Sequence, residues 1–217
     1  MGLLGCLAAA AMVLCAVFSL GAFDTHERRD VKDLQDSYGG RYTGSVLDGL
    51  MDGRGEIVYK NGNRYAGGFV DGLYNGRGVF SADAGWKYSG EFKDGLPDGQ
   101  GKFTDENGGE FVGKFVAGKI SGEGTFGPPD DWIYDGMWDQ GRQSGEGTFT
   151  YADGSVYTGG FKDGAASGTG LYKDKAKWSY EGDFSQGLFE GEGTLTFKNG
   201  ETITGEWEAG KLVSVTE

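Results

Sequence analysis

Large apolar side chains recur along this chain every 23 positions, and the glycine and polar positions between them recur in the same register. Tyr42, Tyr65, Tyr88, Phe111, Tyr134, Tyr157, Tyr180 and Ile203 open the copies, with no insertion between them. Counted from there, position 5 is Val46, Phe69, Phe92, Phe115, Trp138, Phe161, Phe184 and Trp207. Position 16 is Ile57, Phe80, Phe103, Phe126, Phe149, Tyr172 and Leu195. Positions 3 and 8 are glycine in all eight copies, and positions 12 and 14 in all seven full ones. Side chains alternate between the faces of a strand, so positions 1, 3 and 5 share a face, as do 12, 14 and 16. A turn at the Asp/Gln/Ala-Gly pair of positions 7 and 8 sets 1 opposite 16, 3 opposite 14 and 5 opposite 12. Each ring then lies over glycines, as in aromatic rescue of strand glycines.

The link to the next copy is also readable. Lys60-Asn61-Gly62, Ala152-Asp153-Gly154 and Lys198-Asn199-Gly200 have the form of three-residue hairpin loops with glycine in the left-handed position. Each copy is then a hairpin joined to the next by another hairpin. The fold class is all-β: an elongated single-layer antiparallel meander of about fifteen strands, coiled by strand twist. Trp86, Trp132 and Trp178 fall at position 22 of alternate copies. The loop places 22 opposite 18, which is aromatic in three of the other copies (Tyr59, Tyr151, Phe197), so these tryptophans read as packing residues rather than a ligand-stacking ladder.

Two segments precede the periodic region. Residues 24–38 carry an Asp24/Glu27 capping box and a Val31, Leu34, Tyr38 stripe, which predicts a short helix capping the first repeat, ended by Gly39-Gly40. Residues 2–23 are uncharged and mostly apolar, long enough to cross a bilayer as a single-pass anchor. Ser19-Leu20-Gly21 also suits signal-peptide cleavage, which would place the protein in the secretory pathway lumen or outside the cell. Both readings stand. The division is thus 1–23 anchor or signal, 24–41 charged cap and linker, and 42–217 eight repeats with the last truncated.

Composition narrows the function. Glycine supplies 44 of 217 residues, against an ordinary share of about 7%. Proline is scarce and 30 residues are aromatic, which excludes collagen and a disordered linker. Thirty of the glycines sit on positions 3, 8, 12 and 14, so the excess is architectural. The net charge is −13, opposite to the basic face that nucleic acid requires; no nucleic-acid partner is expected. Cys6 and Cys15 both lie in the apolar leader and His26 just after it, which leaves the repeats without thiols or imidazoles for a triad or a structural zinc. Glu123, Glu146 and Glu192 share position 13, one per repeat on the face away from the rings, and read as a solvated face rather than acid–base pairs.

The run Tyr88-Ser-Gly90-Glu-Phe92-Lys-Asp-Gly95-Leu-Pro-Asp-Gly99-Gln-Gly101 resembles the MORN (membrane occupation and recognition nexus) repeat, and the resemblance covers residues 42–217. It implies a non-enzymatic scaffold that binds a protein or peptide partner in a groove at or near a membrane. It further implies that Tyr65, Phe69, Tyr88, Phe92, Phe115, Tyr134, Trp138, Tyr157 and Phe161 line that groove. A phospholipid-recognition module and an accessory protein related to MORN-containing phosphatidylinositol phosphate kinases, without the kinase domain, are the alternatives it suggests. Residues 42–217 hold 16 basic and 28 acidic groups, which an anionic bilayer repels overall, although Arg54 and Arg77 form a local basic patch. Any membrane contact is therefore assigned to residues 2–23. No cofactor, metal or enzymatic activity is expected. Leu212, Val213 and Val215 on the last strand offer an edge for a homodimer.

Overall fold

The computed structural model describes residues 27–36 and 38–216. They form seventeen strands of one antiparallel sheet, in two compact units. The first unit contains β1 (Arg29–Gln35), β2 (Arg41–Leu47), β3 (Leu50–Val58), β4 (Arg64–Val70), β5 (Leu73–Ser81), β6 (Lys87–Lys93), β7 (Leu96–Thr104) and β8 (Glu110–Val116). The second runs from β9 (Lys119–Gly127) through β10 (Ile133–Asp139), β11 (Arg142–Thr150), β12 (Val156–Lys162), β13 (Ala165–Lys173), β14 (Trp178–Ser185), β15 (Leu188–Phe197), β16 (Thr202–Glu208) and β17 (Lys211–Val215). Within each unit, strands pair with their neighbours in the chain.

Each repeat has two unlike turns. At positions 7 and 8 both residues take positive φ, as at Asp71 (49°) and Gly72 (81°). That is the type I′ signature, whose twist matches the flanking strands. The glycine N–H then donates to the position-10 carbonyl of the preceding repeat, as Gly72 does to Met51 at 2.8 Å and Gly187 to Ala166 at 2.9 Å. At the other end, the position-18 N–H bonds the carbonyl of 22 and the N–H of 21 bonds back to 18, as in Tyr59/Asn63 and Gly62/Tyr59.

Positions 1 and 16 face each other as expected (Tyr42↔Ile57), and so do 3 and 14 (Gly44↔Gly55). Position 5 differs. Within its own hairpin it faces position 10, as in Phe69↔Tyr74, and it meets position 12 only in the preceding repeat, as in Gly53↔Phe69. A tight two-residue turn fixes the pairing at 5 and 10. The register is then recovered by a bulge at which position 4 alone opposes 11, 12 and 13. The hydroxyl of the position-1 tyrosine donates to the carbonyl of that bulged residue: Tyr65 to Gly68 at 2.9 Å, Tyr134 to Met137 at 2.9 Å, Tyr157 to Gly160 at 2.9 Å.

The cap is a strand, not a helix. Residues 29–35 form β1, which pairs with β2; Asp24 lies outside the described residues. Val31 and Leu34 are spaced for a helix, but a bulge between them brings both to strand partners, Gly44 and Tyr42. Asp36 and Gly40 repeat the bonds of positions 18 and 22, and Gly39 those of 21, so β1 is the second half of a degenerate repeat ahead of the first. Pairing with the open edge of β2 satisfies a row of backbone groups that a helix would leave bare.

The anticipated anchor or signal, residues 2–23, lies outside the described residues. Among the described residues, no helix is long and apolar enough to cross a membrane. Val213 and Val215 on β17 are 55% and 63% exposed.

Candidate functional site

The sheet makes a core from one layer. Five position-5 rings each stand edge-on between two position-1 rings. In the first unit, Phe69 meets Tyr42 (5.4 Å) and Tyr65 (5.1 Å), Phe92 meets Tyr65 (5.1 Å) and Tyr88 (5.0 Å), and Phe115 meets Tyr88 (4.9 Å) and Phe111 (5.3 Å). In the second, Phe161 stands between Tyr134 and Tyr157, and Phe184 between Tyr157 and Tyr180. Such T-shaped pairs are worth about 0.5–1.5 kcal/mol beyond their area burial. The tyrosine rings lie flat on the glycines of positions 3 and 14: a Cβ on Gly101 would come within 2.4 Å of the Tyr88 hydroxyl and 2.6 Å of its ring.

All nine residues expected to line a groove belong to this ladder. Tyr65, Phe69, Tyr88, Phe92, Phe115, Tyr134, Trp138, Tyr157 and Phe161 are buried, none more than 8% exposed. Burial raises the tyrosine hydroxyls in the ladder, with Tyr134, Tyr157 and Tyr180 pushed up to about 12. The Trp138 indole N–H is also satisfied, donating to Gly124 at 2.8 Å. In the first unit the rings cover one another without a second layer.

Position 10 belongs to the same core, and the period alone did not single it out. Met51, Tyr74 and Ile120 are fully buried there, and Tyr74 stacks on Tyr65 at 3.6 Å and hydrogen-bonds the Tyr59 hydroxyl. Its signal is weak because the bulge breaks alternation just before it. In the middle of the second unit, position 10 holds Gln143 and Ala166, too small or polar to cover the row behind, whereas on either side Ile120 is buried and Phe189 stacks on Tyr180 at 3.8 Å. There Trp132 stacks on Phe149 (5.1 Å), Tyr172 meets Trp178 (5.1 Å), and Tyr151 is left 42% exposed. In the first unit, Trp86 is buried between Phe80 and Phe103. The tryptophans therefore pack within the sheet, as their loop register predicts.

The open face is the opposite one. In the first unit the paired glycines Gly55, Gly67, Gly78, Gly90 and Gly101 form a bare backbone floor. Above it lies a groove of about 750 Å³. One wall is Arg54, Arg77, Gln100 and Glu91; the other is Ala66, Val79, Ser89, Lys102 and Val112. The second unit has a smaller groove of about 480 Å³ on the corresponding positions, walled by Glu123, Glu146 and Met137 and by Asp135, Thr148 and Thr158. The carboxylates at position 13 thus line a shallow solvated trough, as expected. Among the described residues, no group of three or more His, Cys, Asp or Glu could hold a metal ion.

No curated protein matches this sequence. Among solved structures, the chain is similar to the SAS-4 (dCPAP) TCP domain of Drosophila melanogaster, in complex with a proline-rich motif of Ana2 (dSTIL). The identity is 10%, over 90% of this chain and 99% of that chain, with a TM-score of 0.45. It is also similar to the TCP10 domain of Danio rerio CPAP in complex with a peptide of STIL, at 12% identity over 88% of this chain and 99% of that one, with a TM-score of 0.42. A family model described as "MORN repeat" matches residues 42–64, 65–86, 88–110, 111–129, 134–156, 157–175 and 180–202. Those seven stretches keep the register in which the strands pair, and with most of the sequence inside them the chain belongs to the MORN repeat family.

Proposed function

We propose that this chain is a non-enzymatic scaffold that binds a protein or peptide partner in the glycine-floored groove of its first unit, and that residues 2–23 hold it at a membrane. The observation that carries the reading is the asymmetry of the sheet. In the first unit one face is covered by its own ring ladder, while the other presents a groove of about 750 Å³ with apolar and charged walls over bare backbone. Recessed sites with apolar area and a few converging polar groups are where ligands bind, and repeat arrays use such surfaces for partners. The nine ladder residues serve binding indirectly, by fixing the backbone that floors the groove.

A photo-cross-linker placed at Val79 in the full chain tests this. Transfer to a polypeptide from position 79, and none from the more exposed Thr158, supports the groove; equal transfer from both sites, or none, refutes it. Membrane attachment is tested separately: alkaline extraction should leave the chain in the membrane fraction, and release into the supernatant sinks the anchor.

A further inference from the structure

Arg54 and Arg77 stand on the groove's wall, on β3 and β5, with no ion-pair or hydrogen-bond partner among the described residues. Two neighbouring cations are engaged: Arg64 with Glu56 at 2.7 Å and Lys102 with Glu110 at 2.6 Å. The residue directly across from Arg54 is Gly68, which offers no side chain. Glu91 lies across from Arg77, yet its carboxylate leans over Gly99, where a Cβ would come within 2.6 Å of Oε2. Facing these two guanidinium groups across the glycine floor are the apolar side chains of Ala66, Val79 and Val112. In the second unit the same positions, 13 and 4, carry Glu123, Glu146, Glu192, Asp183 and Glu206 and no basic residue. The two guanidinium groups are thus a local feature of the first groove, in a protein whose net charge is −13.

We infer that the groove takes an extended acidic segment of a partner protein, with Asp or Glu at every third position. Three dimensions support this. Alternate strands lie about 9.6 Å apart, which sets the spacing of Arg54 and Arg77. A polyproline II chain returns to the same face every three residues, about 9.3 Å along its axis. A helix returns to one face every turn of about 5.4 Å, or about 10.8 Å over two turns, a poorer match to that spacing. Each carboxylate then meets a guanidinium in a charge-assisted pair, and the intervening side chains rest on Val79 and Val112. An anionic bilayer offers the same charge but is flat, and the net charge of −13 repels it overall. This inference rests on the scaffold reading above.

The test uses the full chain and labelled peptides of four Pro-Ala-Glu, Pro-Ala-Ser or Pro-Ala-Lys triplets, read by fluorescence anisotropy, beside phosphatidylcholine/phosphatidylserine vesicles. The Glu peptide should bind, weaken as salt rises, and weaken about five- to tenfold in R54E/R77E. The Lys peptide should bind R54E/R77E better than the parent chain, a gain that a misfolded variant could not give. Equal binding of Glu and Ser peptides overturns the acidic assignment, as does binding of vesicles but not of peptide. If no peptide binds while the Val79 cross-link persists, only this inference falls. If both fail, the scaffold reading falls with it.

Discussion

Phe69 stands edge-on to Tyr42 of the preceding repeat, ring centroids 5.4 Å apart and planes at 83°, and edge-on to Tyr65 of its own repeat at 87°. One ring thus packs two hairpins together, beside their backbone pairing, the Tyr59–Tyr74 hydroxyl bond and the Arg64–Glu56 ion pair. Phe69→Ala should cost about 3–5 kcal/mol, as for other buried aromatic truncations. Denaturant unfolding should show the midpoint fall. A double-mutant cycle with Tyr65→Leu should be non-additive, because the two residues share the contact.

The glycine beneath each tyrosine is the second weak point. Gly101→Ala puts a methyl group into the Tyr88 ring, and overpacking of this kind costs about 1–3 kcal/mol. A Cβ on Gly76 meets nothing within 4 Å, so Gly76→Ala bears only the strain of its φ of 72°. Thermal melts should rank Gly101→Ala as the more damaging, and equal melting temperatures would contradict the ring-on-glycine arrangement.

One substitution should stabilise. Ala117 sits at φ 47° in the first turn position, a conformation that costs a residue with a Cβ about 1–2 kcal/mol. Ala117→Gly should recover part of that, about 1 kcal/mol or less after the added freedom of the unfolded chain is deducted. Asp48, Asp71 and Asp94 occupy the same position and tolerate it better. Chemical denaturation of Ala117→Gly should therefore show a midpoint at or above that of the parent chain.

The ladder also predicts an alkaline limit. Tyr134, Tyr157 and Tyr180 are pushed up to about 12, first by burial and then by neighbouring charges. Their hydroxyls titrate near 10 in an unfolded chain, so keeping the proton favours the fold. That advantage is intact below pH 10 and drains away as pH rises from 10 towards 12. Circular dichroism across that range should show cooperative loss of the sheet, coincident with tyrosinate absorption. Ionisation of these tyrosines at pH 10 with the sheet intact would contradict their burial.

The 23-residue period, the pairing of 1 with 16 and 3 with 14, and the loop at 18–22 were legible because glycine and ring positions recur without insertion. The bulge was not. It follows from the two-residue turn that pairs 5 with 10, and the position-4 residue that bulges varies from Ser45 to Gly68, Glu91 and Met137. Missing it moved position 5 off its partner and hid position 10. The cap was misread for the same reason, since a bulge turns the three-residue spacing of Val31 and Leu34 into a strand pattern. The choice of open face was also out of reach. Alternation shows which side chains are large and apolar, but not that in the first unit rings laid on glycines cover one another without a second layer.

The unlike turns of each repeat divide the sheet's two rims by what they tolerate. At one rim, two residues with positive φ leave no slack, and the glycine N–H is already committed to the repeat before. An added residue there would slip a strand and turn its faces over. The loops of the other rim already differ, from Lys60-Asn61-Gly62 to Pro129-Asp130-Asp131 and Lys175-Ala176-Lys177, without changing the 23-residue step. This rim is the natural seam for grafting an epitope, a fluorophore or a second domain, leaving both the rings and the groove undisturbed.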